Sequence, residues 1–203
     1  YVNEDYANIK GFELTLDVRP NKYFSGGLTY TYSVAKGSAS SETEQYPGTQ
    51  ESTQLYFLDF DRTHVFNASG TYTIPESEGP EIFGSPVFEN IDFSLILKAS
   101  SGAPYTPSGR DVGFVEANSL RRPGVYNIDL MIGKEFDLAS SLRLRLFAEI
   151  LNLTDHRNVL YVYGDTGDPE FTNEGGYSLE YMRDPSNFGP PRSVRLGFTM
   201  RFN

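Results

Sequence analysis

The chain has no cysteine and no tryptophan, so a disulfide framework and thiolate chemistry are both excluded. Its only histidines, His64 and His156, lie far apart in the sequence and match no catalytic motif. No segment approaches 18 consecutive apolar residues, which rules out a membrane-spanning helix but not barrel strands, whose hydropathy signal is weak. The formal net charge of −10 leaves no basic face for nucleic acid, and we expect no such partner.

Motifs that would indicate an enzyme are also missing. The sequence contains no G-x-S-x-G elbow, no glycine-rich phosphate loop and no H-E-x-x-H zinc motif. We therefore expect no catalytic residues and no cofactor. Asp165, Asp168, Glu170 and Glu174 are weak candidates for Ca²⁺ ligands, but their spacing does not match an EF-hand loop. A solvated acidic loop is the interpretation that we favour.

The residues that are abundant favour strands and turns: 14 Tyr, 15 Phe, 19 Gly and 12 Pro. The end of the chain shows the pattern most clearly, because apolar and polar residues alternate there. The apolar set is Val194, Leu196, Phe198, Met200 and Phe202, and the polar set is Ser193, Arg195, Gly197, Thr199 and Arg201. A strand tilted through a bilayer needs about 9–11 residues, which this segment supplies.

The same alternation predicts seven long strands, at about residues 8–19, 24–35, 63–74, 90–100, 124–136, 142–153 and 192–202. A further short strand is predicted at residues 159–163. The connections alternate short, long, medium, long, short and long, as in transmembrane barrels with short turns on one side and long loops on the other. The pattern thus predicts an all-β antiparallel meander of about seven transmembrane strands. A soluble β-sandwich serving as a surface or adhesion module is the alternative.

Several segments, in order, resemble TonB-dependent outer-membrane receptors. Lys10-Gly11-Phe12-Glu13 resembles a strand start of that family, and Pro191-Arg192-Ser193-Val194-Arg195 resembles its last strand. Phe60-Asp61-Arg62-Thr63-His64 and Ser101-Gly102-Ala103-Pro104-Tyr105 are most similar to the Oar-like branch. Leu146-Phe147-Ala148-Glu149-Ile150 is similar to the near-terminal strand. The resemblance extends over nearly the whole chain.

This resemblance implies a receptor with an N-terminal plug, a box that binds TonB and a 22-stranded barrel in the Gram-negative outer membrane. Residues 1–203 would then be the C-terminal part of the barrel, with no plug and no TonB box present. The implied function is energy-coupled import of a scarce solute such as a siderophore, an oligosaccharide or a peptide. The implied partners are outer-membrane lipid, the plug and remaining strands, the TonB system and the barrel-assembly machinery.

The resemblance also gives roles to particular residues. Phe202 stands for the terminal aromatic that the assembly machinery reads, although Asn203 follows it. Residues expected to face the lumen or plug are Arg143, Arg145, Glu149, Arg195 and Arg201. The arginines would pair with Glu149 or with carboxylates of the plug. A hydrated barrel wall without a special partner is the alternative. The substrate-binding residues are unknown.

Overall fold

The computed structural model describes residues 6–38, 55–84, 86–109 and 115–202. The framework of the described chain is seven long strands: β1 (Ala7–Val18), β2 (Phe24–Gly37), β4 (His64–Ile74), β5 (Ile91–Ser100), β8 (Val125–Ala139), β9 (Leu142–Leu151) and β10 (Ser193–Phe202). They form one antiparallel sheet in the order β1-β2-β4-β5-β8-β9-β10. The prediction of an all-β meander is confirmed, and each long strand lies within a few residues of its predicted bounds.

Several short elements lie at one end of this sheet. The two-residue strand β3 (Tyr56–Phe57) pairs with the end of β2, and β6 (Pro104–Tyr105) pairs with β7 (Leu120–Arg121). One helical turn, α1 (Leu179–Met182), and a 3-10 turn at Pro185–Asn187 lie in the last connection. The strand predicted at residues 159–163 is wrong, because Val159 makes only an isolated bridge to Phe188. No helix among the described residues has the length and apolar character needed to cross a membrane.

The connections keep the predicted alternation. Residues 140–141 form the tight turn between β8 and β9, and residues 152–192 form the longest connection, between β9 and β10. We call the two ends of the sheet the long-loop end and the short-turn end. All three long connections leave from the long-loop end, because the strands are antiparallel neighbours.

Strand register gathers the apolar residues on one face. One row across five strands is Leu16, Leu28, Ala68, Leu97 and Ile128, and another is Leu95, Leu130, Ile150 and Val194. We call this side the apolar face and the opposite side the inner face. The inner face is polar, as in the row Thr15, Thr29, Asn67, Lys98 and Asn127. Because side chains alternate along a strand, the register sets both faces at once.

The apolar face does not form a dry core. Leu14, Phe198 and Leu196 keep 60%, 67% and 81% of their surface exposed. The buried hydrophobic residues of the described chain are Ala35, Leu58, Ala103 and Met182, at or beyond the long-loop end of the sheet. A soluble sandwich would cover this face with a second sheet, and the described residues contain no such layer. The face is suited to an apolar surrounding such as lipid.

Both edges of the meander are free in the described residues. β1 pairs only with β2, and β10 pairs only with β9. An edge strand presents unpaired N–H and C=O groups, which cannot be left unsatisfied in a bilayer. In lipid, both edges would have to be paired, either with each other or with further strands.

Candidate functional site

The inner face carries ion pairs at the short-turn end of β8 and β9 and toward the long-loop end of β9 and β10. Arg195 on β10 lies opposite Glu149 on β9, and their charged groups are 3.4 Å apart. Arg143 lies 3.5 Å from Glu135 and 3.2 Å from Asp137, both on β8. These pairs are partly exposed, so each contributes little to stability on its own. Because of these pairs, this part of the inner face carries both positive and negative charges.

Arg145 makes the tightest pair of the inner face. It reaches from β9 across β8 to Asp92 on β5, with guanidinium-to-carboxylate distances of 2.7 and 2.8 Å. Gly133 on β8 lies beneath this bridge, and a Cβ there would be only 2.3 Å from Arg145 Nη2 and 2.8 Å from Asp92. The glycine therefore makes room for a two-pronged ion pair that ties three strands together.

Arg201 differs from the other inner-face arginines. It lies directly opposite Arg143 in the β9–β10 register, and like charges in that position repel. Arg143 is neutralised by carboxylates of β8, whereas Arg201 is exposed and has no ion pair within the described residues. Phe202, the next residue, lies on the apolar face opposite Leu142 and is 78% exposed.

The two histidines lie at the long-loop end and take part in aromatic packing. His64 Nδ1 is 2.8 Å from the hydroxyl of Tyr30 on the apolar face. The His156 ring stacks on Tyr126 with 4.0 Å between ring centroids. In the part of the chain that the structure describes, both imidazole rings contact tyrosines and neither ring is paired with a carboxylate.

The most deeply buried polar group lies where two long connections meet the sheet. Asp61 is 1% exposed and accepts hydrogen bonds from the Ala35 amide at 2.6 Å and from Thr63 Oγ1 at 3.1 Å. The Arg121 guanidinium donates to the same carboxylate at 2.5 Å. Because Asp61 precedes β4 and Arg121 belongs to β7, this pair joins residues 38–63 to residues 101–124 at their roots.

Neighbouring groups extend this contact, and we call the set Phe57, Asp61, Asn118 and Arg121 the loop-root cluster. The Asn118 side chain donates to the Phe57 carbonyl and to Asp59 Oδ1, both at 2.7 Å. The Phe57 ring makes cation–π contacts with Lys36 Nζ, 4.5 Å from the ring centroid, and with the Arg121 guanidinium at 4.7 Å. Buried hydrogen bonds of this kind hold the loop roots in one arrangement.

Gly102 shows how closely the two ends of the connection between β5 and β8 approach each other. A Cβ at this position would lie 1.7 Å from the Arg122 carbonyl oxygen, so no other residue fits without moving the backbone. In the sequence, Asp61 and Gly102 stand out only as parts of segments that resemble the receptor family. No signal in the sequence links Asp61 to Arg121, since 60 residues separate them.

The four acidic loop residues do not converge. Asp165 accepts from Thr172 Oγ1 and from the Asn173 amide, and Asp168 accepts from the Glu170 amide. Glu170 pairs with Arg157 at 3.2 Å, whereas Glu174 has no such partner among the described residues. Within the part of the chain that the structure describes, no three His, Cys, Asp or Glu side chains form a group able to hold a metal ion.

An antiparallel meander with an exposed apolar face and a polar, ion-paired face is the architecture of a transmembrane barrel wall. The family model described as TonB-dependent receptor-like β-barrel matches residues 1–153, and the chain belongs to this family. A search among curated proteins found no match to the chain.

Membership of this family confirms the predictions of a β-barrel, of transport and of an outer-membrane receptor. The family consists of transport proteins of the Gram-negative outer membrane, coupled to a plug and to TonB, and is not a family of enzymes. Within this family architecture, the inner-face arginines lie on the polar face of the sheet, and the loop-root cluster lies at the base of its long connections.

Proposed function

We propose that residues 1–203 form the C-terminal part of a 22-stranded receptor barrel that imports a scarce solute by TonB-coupled transport. The observation that carries this proposal is the sheet itself, whose apolar face is exposed and whose edge strands β1 and β10 lack outer neighbours in the described chain. Barrel closure is the arrangement that satisfies both edges in lipid.

The solute is proposed to be a siderophore, an oligosaccharide or a peptide, as in the resemblance to TonB-dependent receptors. Long loops at one end of the sheet would capture it, and the loop-root cluster would hold those loops in position. The Oar-like assignment is part of the same proposal and rests on residues 60–64 and 101–105. These two segments are in contact, since the Ser101 amide donates to the His64 carbonyl at 2.9 Å.

The inner-face set Arg143, Arg145, Glu149, Arg195 and Arg201 is proposed to face a plug supplied by another part of the receptor. Arg201 supports this best, because its charge faces Arg143 and lacks an acidic partner in the described residues. Phe202 is proposed as the aromatic that the barrel-assembly machinery reads, since it ends the apolar face of β10.

Growth assays test the transport proposal. A strain lacking the receptor is compared with its parent on panels of ferric siderophores, oligosaccharides and peptides, each as the limiting source of iron, carbon or nitrogen. We expect a defect on one class of solute, and the same defect in a parent strain without TonB. Equal growth of all three strains on every solute would contradict the proposal.

The double variant Arg145→Ala/Arg195→Ala, made in the intact receptor, tests the plug-facing role. We expect weaker retention of the plug and slower uptake, because two lumen-side cations are removed. Lys10→Ala, which removes a cation outside the inner face near the start of β1, is the matched control. Unchanged uptake together with an unchanged plug would leave these arginines as parts of a hydrated wall.

A further inference from the structure

A small cavity lies in the connection between β9 and β10, on the long-loop side of the sheet, with a volume of about 210 Å³. We call it the tyrosine pocket and define it by Tyr163, Asp165, Thr172, Glu174, Tyr177 and Tyr181. Pockets that enclose a whole small ligand measure about 300–1,000 Å³. A pocket below that range accommodates one ring or one charged group, so its role would be that of a subsite.

The aromatic wall of the pocket is well supported. Tyr177 and Tyr181 stack with 4.7 Å between ring centroids and 10° between ring planes. The Tyr163 hydroxyl donates to the Met182 carbonyl at 3.1 Å, which anchors α1 against the pocket. Tyr177 and Tyr181 remain 46% and 60% exposed, so their faces are accessible to a solute.

The charge in the pocket is negative. Among the described residues, the donors to Asp165 are neutral: Thr172 Oγ1 at 3.0 Å and the Asn173 amide at 2.6 Å, which stabilise its carboxylate without neutralising it. The Glu174 carboxylate has no hydrogen bond or ion pair within the described residues, and no Lys, Arg or His lines the pocket there. The pocket therefore combines exposed π faces with two carboxylates that no cation of the described residues neutralises.

Given the proposed import function, on which this inference rests, we propose that the tyrosine pocket binds a cationic group of the solute, an ammonium or a guanidinium. A cation is attracted to the face of a tyrosine ring and forms charge-assisted hydrogen bonds with a carboxylate. An anionic group would be repelled by Asp165 and Glu174. A neutral sugar would stack on the rings but would leave both charges uncompensated. Among the three solute classes, this favours a basic peptide.

Binding of the tripeptide Lys-Lys-Lys to the complete receptor in detergent micelles tests this proposal by isothermal titration. Glu174→Gln keeps the shape of the side chain and removes its charge, and we expect the dissociation constant to rise about tenfold. Tyr181→Leu keeps an apolar side chain but removes the π face, and we expect a rise of several-fold. Acetylating the lysines of the peptide is expected to weaken binding to the unaltered receptor as much as Glu174→Gln does.

Glu170→Gln is the matched control, because Glu170 lies in the same connection but pairs with Arg157 and does not line the pocket. Equal weakening by Glu170→Gln and Glu174→Gln would overturn the proposal, as would binding of neutral maltotriose that depends on the same two pocket residues. The titration requires no import. Binding that depends on Glu174 would therefore support the pocket even if the growth assays failed, and import without Glu174-dependent binding would overturn the pocket alone.

Discussion

Replacing Asp61 by asparagine is expected to loosen the roots of two long loops while leaving the sheet intact. The substitution keeps the size of the side chain but removes the charge that faces Arg121 at 2.5 Å. An asparagine oxygen can still accept from the Ala35 amide, but its NH₂ group would then point toward the donors of Arg121 and Thr63. One buried ion pair and one hydrogen bond are lost together.

The size of this effect follows from burial. Removing one partner of a fully buried ion pair costs about 3–5 kcal/mol. The Asp61 side chain is fully buried, but 28% of the Arg121 side chain is exposed. Water can therefore solvate part of the guanidinium charge after the carboxylate is removed. We therefore expect a loss of about 2–3 kcal/mol in the free energy of local opening. This loss corresponds to hydrogen exchange that is faster by about 30- to 150-fold.

Native-state hydrogen exchange on the receptor in micelles measures this loss directly. The reporter is the Leu58 amide, which donates to the Ala35 carbonyl at 3.0 Å and does not touch Asp61 Oδ1 or Oδ2 itself. The Leu153 amide, bonded to the Ile128 carbonyl at 2.7 Å, reports on a distant part of the sheet and should not change. Asp137→Asn is the control, since that carboxylate is 54% exposed and its ion pair is worth little. Exchange at Leu58 within about threefold of the control would refute this reasoning.

Three further predictions concern the lipid side, the loop roots and the short-turn end. Leu130→Arg places a charge in the middle of the apolar face and should cost about 2–4 kcal/mol, seen as a lower yield of folded receptor in vesicles. Gly102→Ala should destabilise the loops, seen as faster proteolysis on intact cells, because its Cβ would lie 1.7 Å from a backbone carbonyl. The hydrogen bond and charge of Lys22 lower the pKa of Glu78, so the stabilisation from this pair is present above pH 4.5 and is lost as the pH falls through the folded-state pKa. NMR titration should give a Glu78 pKa below 4.5, rising in Lys22→Ala.

Each of these predictions has a control in the same chain. Asn127→Arg adds the same charge to the inner face of β8 and should assemble much better than Leu130→Arg. Gly175→Ala adds a methyl group where nothing lies within 4 Å and should leave proteolysis unchanged. Equal yields of the two arginine variants, equal cleavage of the two alanine variants, or a Glu78 pKa that ignores Lys22 would each contradict the corresponding prediction.

The strands of the meander could be predicted from the sequence because apolar and polar residues alternate along each strand. The alternation in residues 193–202 specifies both faces of β10 without knowledge of any other strand. Neighbours that follow each other along the chain then pair, which fixes the order of the sheet. The family-like segments led to the same architecture, and the family match confirms it.

The loops could not be predicted in this way. Asp61 and Arg121 lie in polar segments that have no period, and their contact spans 60 residues. β3, β6 and β7 have two residues each, too few for a pattern to be recognised. The pairing of Arg145 with Asp92 could not be predicted either, because the two residues lie two strands apart in the sheet. The pair forms only because Gly133, on the strand between them, has no side chain to block it.

The pairing of β10 with β9 raises the question of what aligns two strands that are separated by residues 152–192. No tight turn sets their alignment, and a slip by two residues would keep every apolar side chain on the lipid side. Two inner-face contacts distinguish the correct alignment. A slip of two residues would separate Arg195 from Glu149. It would also place Arg195 or Thr199, instead of Gly197, opposite Phe147. A Cβ at the position of Gly197 would lie 2.4 Å from the Phe147 ring, so a larger residue does not fit there. Gly197 and the Arg195–Glu149 salt bridge thus select one alignment among several that would place the same apolar side chains toward lipid.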